Sequence, residues 1–131
     1  MVMYNTSLAM GNRLPAAHSI QTEMDNNFIC VGASLSVEAV IATLRTSSLT
    51  DKRLNLIFIS GDAGEYLGFV YLSKVVVSQM NIIMKDIMHK SDIAVSALMD
   101  KVQARKLLLD SHLPMIPIID SRNRVIGVYS I

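Results

Sequence analysis

The sequence predicts an α+β fold in which two copies of one half-core, each incomplete alone, close a shared core. Three observations carry that expectation. Met24 followed by Phe28-Ile29-Cys30-Val31 is echoed by Met88 followed by Asp92-Ile93-Ala94-Val95, a shift of 64 positions (95 − 31). Ile57-Phe58-Ile59, a turn, and Leu67-Gly68-Phe69-Val70 are echoed by Ile116-Pro117-Ile118, a turn, and Ile126-Gly127-Val128-Tyr129, a shift of 59 (127 − 68). Composition is the third: 51 % hydrophobic residues with no tryptophan and nine methionines leaves an aliphatic core, which suits small helices packed on a sheet.

Each copy opens on a short apolar strand that leads to a helix. In the first helix Val37, Val40, Ile41 and Leu44 fall at i, i+3, i+4 and i+7, one apolar stripe, with Ser34 or Ser36 available to cap the first amides. In the second, Leu98, Val102 and Leu109 mark the stripe, and Leu107 and Leu108 widen it. A hairpin follows each helix. Residues 54–60 and 66–72 flank Gly61-Asp62-Ala63-Gly64-Glu65, and residues 115–120 and 125–131 flank Ser121-Arg122-Asn123-Arg124. The two shifts differ by five residues (64 − 59), which fall to the first copy and read as loop within Thr46 to Asn55. The glycines of the first turn read as a plain connection. A phosphate loop opens onto a helix N-terminus, whereas this turn leads into a strand.

Charge and hydropathy exclude several classes. With 131 residues the chain can bury one compact core. Twelve basic and eleven acidic residues leave a net charge of +1, with no concentrated basic face for nucleic acid; Lys101, Arg105 and Lys106 read as a solvated helix face. Mean hydropathy is +0.40, yet runs such as Leu56 to Ile59 and Val75 to Val77 fall far short of the roughly 20 residues that cross a bilayer. Met1 to Met10 does not read as a signal peptide. A cytoplasmic chain without direct membrane insertion is therefore expected. Cys30 is the single cysteine and reads as a buried, inert thiol on a strand. His18, His89 and His112 lack zinc-site spacing. No nucleophile, base and orienting group stand at a recognisable spacing, so no catalytic residue is assigned and no enzyme is expected.

Leu113-Pro114-Met115-Ile116-Pro117-Ile118-Ile119-Asp120, followed by a polar turn and Val125-Ile126-Gly127-Val128, resembles the second hairpin of a cystathionine-β-synthase (CBS) motif. The twofold occurrence of the unit resembles a tandem CBS (Bateman) pair. Met84-Lys85-Asp86-Ile87-Met88 resembles the Asp-Ile-Met opening of the second copy. Together with residues 19–24 and 28–31, it brings the resemblance closest to the cytosolic regulatory region of MgtE-type magnesium transporters. The resemblance covers residues 19–131. It implies β-α-β-β-α units related by a pseudo-twofold axis, a first motif at 19–87 and a second at 88–131 that lacks its closing helix. Residues 1–18 are then an N-terminal segment, flexible or partly helical. The sequence departs from the pattern where Gln21 replaces a glycine and where Lys74 occupies the position of a ribose-binding carboxylate, since lysine has no acceptor. The second copy keeps Gly127 and Ser130, but the sequence stops at Ile131, before that carboxylate.

In MgtE-type proteins, as the resemblance implies, Mg²⁺ bound among carboxylates screens their repulsion, closes the cytosolic domains and shuts the pore. The metal candidates implied here are Asp86 and Asp92. For an adenine nucleotide the implied contacts are Ile93, Met115, Pro117 and Ser130. Each scattered aspartate, Asp100, Asp110 and Asp120 included, also reads as a cap, a turn residue or a solvated charge. Three readings stay open: a Mg²⁺-sensing module that gates a parent transporter and works on its transmembrane domain, an adenine-nucleotide sensor, and a module whose helices form a homodimer.

Overall fold

The period of two along a strand and the capping of two helices fix most of this fold. The computed structural model describes residues 19–47 and 55–130. The N-terminal segment 1–18 and most of the loop expected within Thr46 to Asn55 lie outside the described residues. A 3₁₀ turn, Ile20–Glu23, precedes strand β1, Ile29–Gly32. Helix α1, Val37–Arg45, leads to the hairpin β2, Leu56–Ser60, and β3, Tyr66–Tyr71, closed by α2, Leu72–Val77. The chain continues through α3, Met84–Ile87, which precedes the boundary expected at residue 88, then β4, His89–Lys90, and β5, Val95–Ser96. It ends with α4, Lys101–Ser111, β6, Ile116–Ile119, and β7, Val125–Tyr129.

The strands form two sheets, β1-β2-β3-β4 and β5-β6-β7, in each of which the first pair is parallel and the hairpin antiparallel. Both hairpins shift register at the same place, between Ile59 and Ser60 and between Ile118 and Ile119, again 59 positions apart. Gly64 (φ 85) and Asn123 (φ 63) hold the same left-handed turn position, one because it has no Cβ and the other because asparagine tolerates that region. The repeat read from the sequence is thus a repeat of backbone geometry.

Ser36, rather than Ser34, caps α1: its Oγ accepts from the Ala39 N–H at 3.2 Å. Asp100, 64 positions on, caps α4 by accepting from Val102 N–H at 3.0 Å and Gln103 N–H at 3.4 Å. The α1 stripe holds, with Val37 and Val40 buried and Ile41 and Leu44 packed against the same core. The α4 stripe does not. Leu98, Val102 and Leu109 are 64 %, 75 % and 55 % exposed, while Ala104 and Leu108 are buried and Leu107 packs beside them. The Asp100 cap sets the phase of the helix, so Ala104, at the position of Val40, meets the sheet and the bulkier Val102 turns outward.

Cys30 also departs from expectation. In β1 the buried residue is Val31, so its neighbour Cys30 points to the other face and is exposed. Partial desolvation against the sheet raises its pKa, and a hydrogen bond with Ser60 only partly offsets that, so it stays a thiol at neutral pH.

The two copies exchange their lead-in segments. The Val37 N–H donates to the Ile82 carbonyl at 2.7 Å and the Met84 N–H to the Leu35 carbonyl at 2.9 Å, while Ile20 N–H donates to Met99 at 3.0 Å. The bridges Ser36 to Ile83 and Ser19 to Asp100 are therefore the same contact made twice. Strand β4 pairs with β3, His89 opposite Phe69; its counterpart is Asp25, which exchanges two backbone hydrogen bonds with Val128, at 3.0 and 2.8 Å. Met84 accordingly fills the first core among Val31, Val40 and Ile57, and Ile20 fills the second among Val95, Leu108 and Ile116. A third cluster, with Leu56, Phe58 and Phe69 from the first copy and Met115 and Val128 from the second, joins the halves. The second core thus takes Ile20 from the segment before β1, and the first takes Met84 from the segment that leads into the second sheet.

Candidate functional site

A cavity of about 840 Å³ lies where the lead-in of the second copy crosses the first. Backbone pairing builds it. Ser91 N–H donates to the Leu67 carbonyl at 3.1 Å, extending the β3-β4 pairing and drawing Lys90, Ser91 and Asp92 along the strand. Lys85 N–H donates to the Ala33 carbonyl at 2.9 Å, which sets Ile83, Lys85 and Met88 over Ala33 and Ser34. The β2-β3 turn adds Gly61 and Asp62.

The lining sorts by chemistry. Ala33, Leu67, Ile83 and Met88 give apolar walls for a flat ring; Ser34 and Ser91 give hydroxyls; Asp62 and Asp92 give acceptors; Lys85 and Lys90 give donors of positive charge. Among the described residues none of these four charged groups is engaged in an ion pair. Next to Ser91 the Tyr66 side chain is buried, with the Ser91 hydroxyl as the polar group nearest to its own. Burial pushes its pKa up to about 12; the nearby Ser91 hydroxyl pulls it down, and Cys30 and Asp92 add to the rise. Tyr66 is therefore a neutral donor at physiological pH.

The structure distributes the residues singled out from sequence. Asp92 lines the cavity; Asp86, on α3, is exposed and does not. Ile93 packs at the edge of the second core, its N–H donated to Ser91 Oγ at 3.1 Å. Met115 is buried in the cluster between the sheets, Pro117 is buried on β6 opposite Val128, and Ser130 follows β7, half-buried. Those four do not line the cavity. Asp100 is a helix cap and Asp120 a turn residue. Lys85, Lys90 and Ser91 do not stand out as site residues in the sequence, and the turn that carries Gly61 and Asp62, read there as a plain connection, lines the cavity. Among the described residues no group of three or more histidine, cysteine or acidic side chains could hold a metal ion. The carboxylates that line the cavity are Asp62 and Asp92.

Residues 84–131 match the family profile of the CBS domain. The fold is similar to the cytosolic domain of the Mg²⁺ channel MgtE in complex with ATP, with TM-score 0.75 and 20 % identity over 82 % of this chain and 43 % of that one. It is similar to the soluble part of a magnesium transporter, with TM-score 0.76 and 14 % identity over 87 % and 44 %. It is also similar to CBSX2 in complex with AMP, with TM-score 0.68 and 18 % identity over 86 % and 90 %. The chain spans less than half the length of the two transporter structures. No curated protein matches it in sequence. Among the described residues no helix is long and apolar enough to cross a membrane. Residues 84–131 carry a CBS domain, an echo of that unit closes the other half of the fold, and the chain therefore has the fold of a tandem CBS pair.

Proposed function

We propose that this CBS pair is the cytosolic ligand-sensing region of a divalent-cation transporter, and that the ligand it senses is an adenine nucleotide held in the cavity between the first copy and the lead-in of the second. One observation carries the reading: apolar walls, two hydroxyls, two carboxylates and two lysines surround a single space of about 840 Å³. Those groups match, in turn, a base, the ribose hydroxyls and the phosphates. The likeness of the fold to a magnesium channel domain in complex with ATP, and to CBSX2 in complex with AMP, supports the same ligand class.

The sensing step follows from how the walls are built. Ser34 and Asp62 belong to the first copy, whereas Lys85, Lys90 and Asp92 belong to the segment that runs on into β5 of the second. A ligand that bridges them favours one disposition of the two copies, and differential affinity for that state is the coupling a parent protein can use. Mg²⁺ enters this scheme with the nucleotide, because the ion is commonly bound by one or two carboxylates plus phosphates, a role open to Asp62 and Asp92. The exposed apolar side chains on α2 and α4, Val76, Val77, Val102 and Leu109, favour a homodimer formed through the helices.

Calorimetric titration of the chain with AMP and ATP, with and without Mg²⁺, tests the ligand. Saturable heat is expected, and absence of heat with every adenine nucleotide overturns the reading. Ion flux through the full-length parent, measured against cytosolic Mg²⁺ and nucleotide, tests the transporter context; flux indifferent to both overturns it.

A further inference from the structure

The pseudo-twofold gives each residue that lines the cavity a counterpart in the second copy, and the shifts of 64 and 59 name it. Lys85 and Lys90 correspond to Gln21 and Asn26, and Asp62 and Asp92 to Ser121 and Phe28. The buried hydroxyl of Tyr66 corresponds to Val125. Every ionisable group that lines the first cleft is thus uncharged in the second. The position of Asp92 is there an aromatic ring, Phe28, engaged edge-on with Phe58 at 6.3 Å. The one charge gained, Asp120 for Gly61, is already committed: its Oδ1 accepts from the Arg122 and Arg124 N–H groups at 2.8 and 3.0 Å, and its Oδ2 meets the Arg124 guanidinium at 3.1 Å. Backbone has been kept and chemistry has diverged.

We propose that the pair binds one phosphate-bearing ligand per chain, in the first cleft alone, with Lys85 and Lys90 holding the phosphate groups. This rests on the ligand reading above and adds to it a stoichiometry and the part of the ligand that is recognised. The cleft discriminates by charge: nucleotides bind, and the nucleoside that lacks phosphate binds weakly. Lysine is well suited to that task because a mobile ammonium follows a flexible phosphate chain without demanding one geometry.

The test is titration of the chain with ATP, AMP, adenosine and inorganic tripolyphosphate, repeated on the variant Lys85→Gln/Lys90→Asn, which installs the residues of the second cleft. Both lysines are exposed, so the variant is expected to melt at the wild-type temperature. Wild type should take up one ATP per chain, and the variant should lose about a hundredfold or more in ATP affinity, since a hydrogen bond to a charged group is worth about a tenfold step or more. Adenosine affinity should stay within about threefold, because it makes no phosphate contact. Two ATP per chain, or unchanged ATP affinity in the variant, overturns this inference while the ligand reading stands. Binding of tripolyphosphate that the variant loses, with no binding of any adenine compound, leaves this inference standing and removes the nucleotide. No binding of either kind removes both.

Discussion

Glu65 and Arg124 form a β-bridge with each other, and each is the other's counterpart under the shift of 59. A residue can pair with its own equivalent only beside a twofold axis, so this bridge marks where the pseudo-symmetry axis of the pair passes, at the tips of the two hairpins. Tyr66 N–H, next in the chain, donates across the same junction to the Asn123 carbonyl at 2.8 Å. The exchanged lead-ins are then required by symmetry: what residues 83–90 do for the first copy, residues 19–26 do for the second.

Gly68 and Gly127 are the residues over which those lead-ins cross. A Cβ on Gly68 would collide with the His89 backbone carbonyl, and one on Gly127 would collide with the Met24 side chain and come within 3.2 Å of the Asp25 carbonyl. Backbone cannot step aside as a methionine can. Gly68→Ala is therefore expected to cost about 3 kcal/mol or more and Gly127→Ala about 1–2 kcal/mol. Met24→Ala should recover part of the second loss and none of the first. Urea unfolding of wild type, Met24→Ala, the two glycine variants and each glycine variant combined with Met24→Ala checks this, and equal penalties at the two glycines would contradict it.

How much of this was legible in the sequence depends on the range of the interaction. The strands, the hairpins and the α1 cap follow from alternation, turn residues and a serine before an apolar stripe, all local signals, and the glycines of the repeat were visible as an echo. The exchange was not, because a two-residue strand such as β4 carries no periodicity to say which edge it joins. The cavity inherits that opacity: Lys85, Lys90 and Asp92 meet Ser34 and Asp62 only because the lead-in crosses the first copy. The α4 stripe was misread because Ala104 is too small to register as a core residue, while Leu98, Val102 and Leu109 are apolar and outward. Cys30 failed for a simpler reason, one residue of phase on a strand.

Asp120 should make stability depend on acid pH. Slight desolvation raises its pKa, but the Arg124 and Arg122 backbone amides and the Arg124 guanidinium outweigh that and lower it. A depressed folded-state value means that the contribution is present above the unfolded value of about 4 and is lost as pH falls through the folded one. Asp120→Asn is expected to melt below wild type at pH 7, with the gap closing as the pH drops below about 4. A gap unchanged down to pH 2 would show that the carboxylate charge plays no part.

The outward apolar residues of α4 give a test of assembly. Val102 and Leu109 are 75 % and 55 % exposed in the isolated chain, and side chains of that kind are costly to leave in water when they cluster. Sedimentation equilibrium should find a dimer for wild type and a monomer for Val102→Glu/Leu109→Glu, with the fold retained because neither residue belongs to the core. A wild-type chain that stays monomeric at millimolar concentration removes the dimer.

Met84 offers the sharpest test of the exchange, because its place in sequence and its place in the core disagree. It opens the stretch matched to the CBS profile, yet its side chain is fully buried among Val31, Val37, Val40 and Ile57 of the first copy. Truncation to alanine is expected to cost about 2–5 kcal/mol through the cavity it leaves. The damage should appear in the wrong half by sequence: amide exchange should quicken most in β1, β2 and α1, and least in β6, β7 and α4. Ile20→Ala should do the reverse, loosening β5, β6 and α4 around Val95, Leu108 and Ile116 while β1 and β2 stay protected. Exchange that quickened in the second half for Met84→Ala and in the first for Ile20→Ala would mean that each copy closes its own core, and the crossed lead-ins, together with the cavity they enclose, would have to be abandoned.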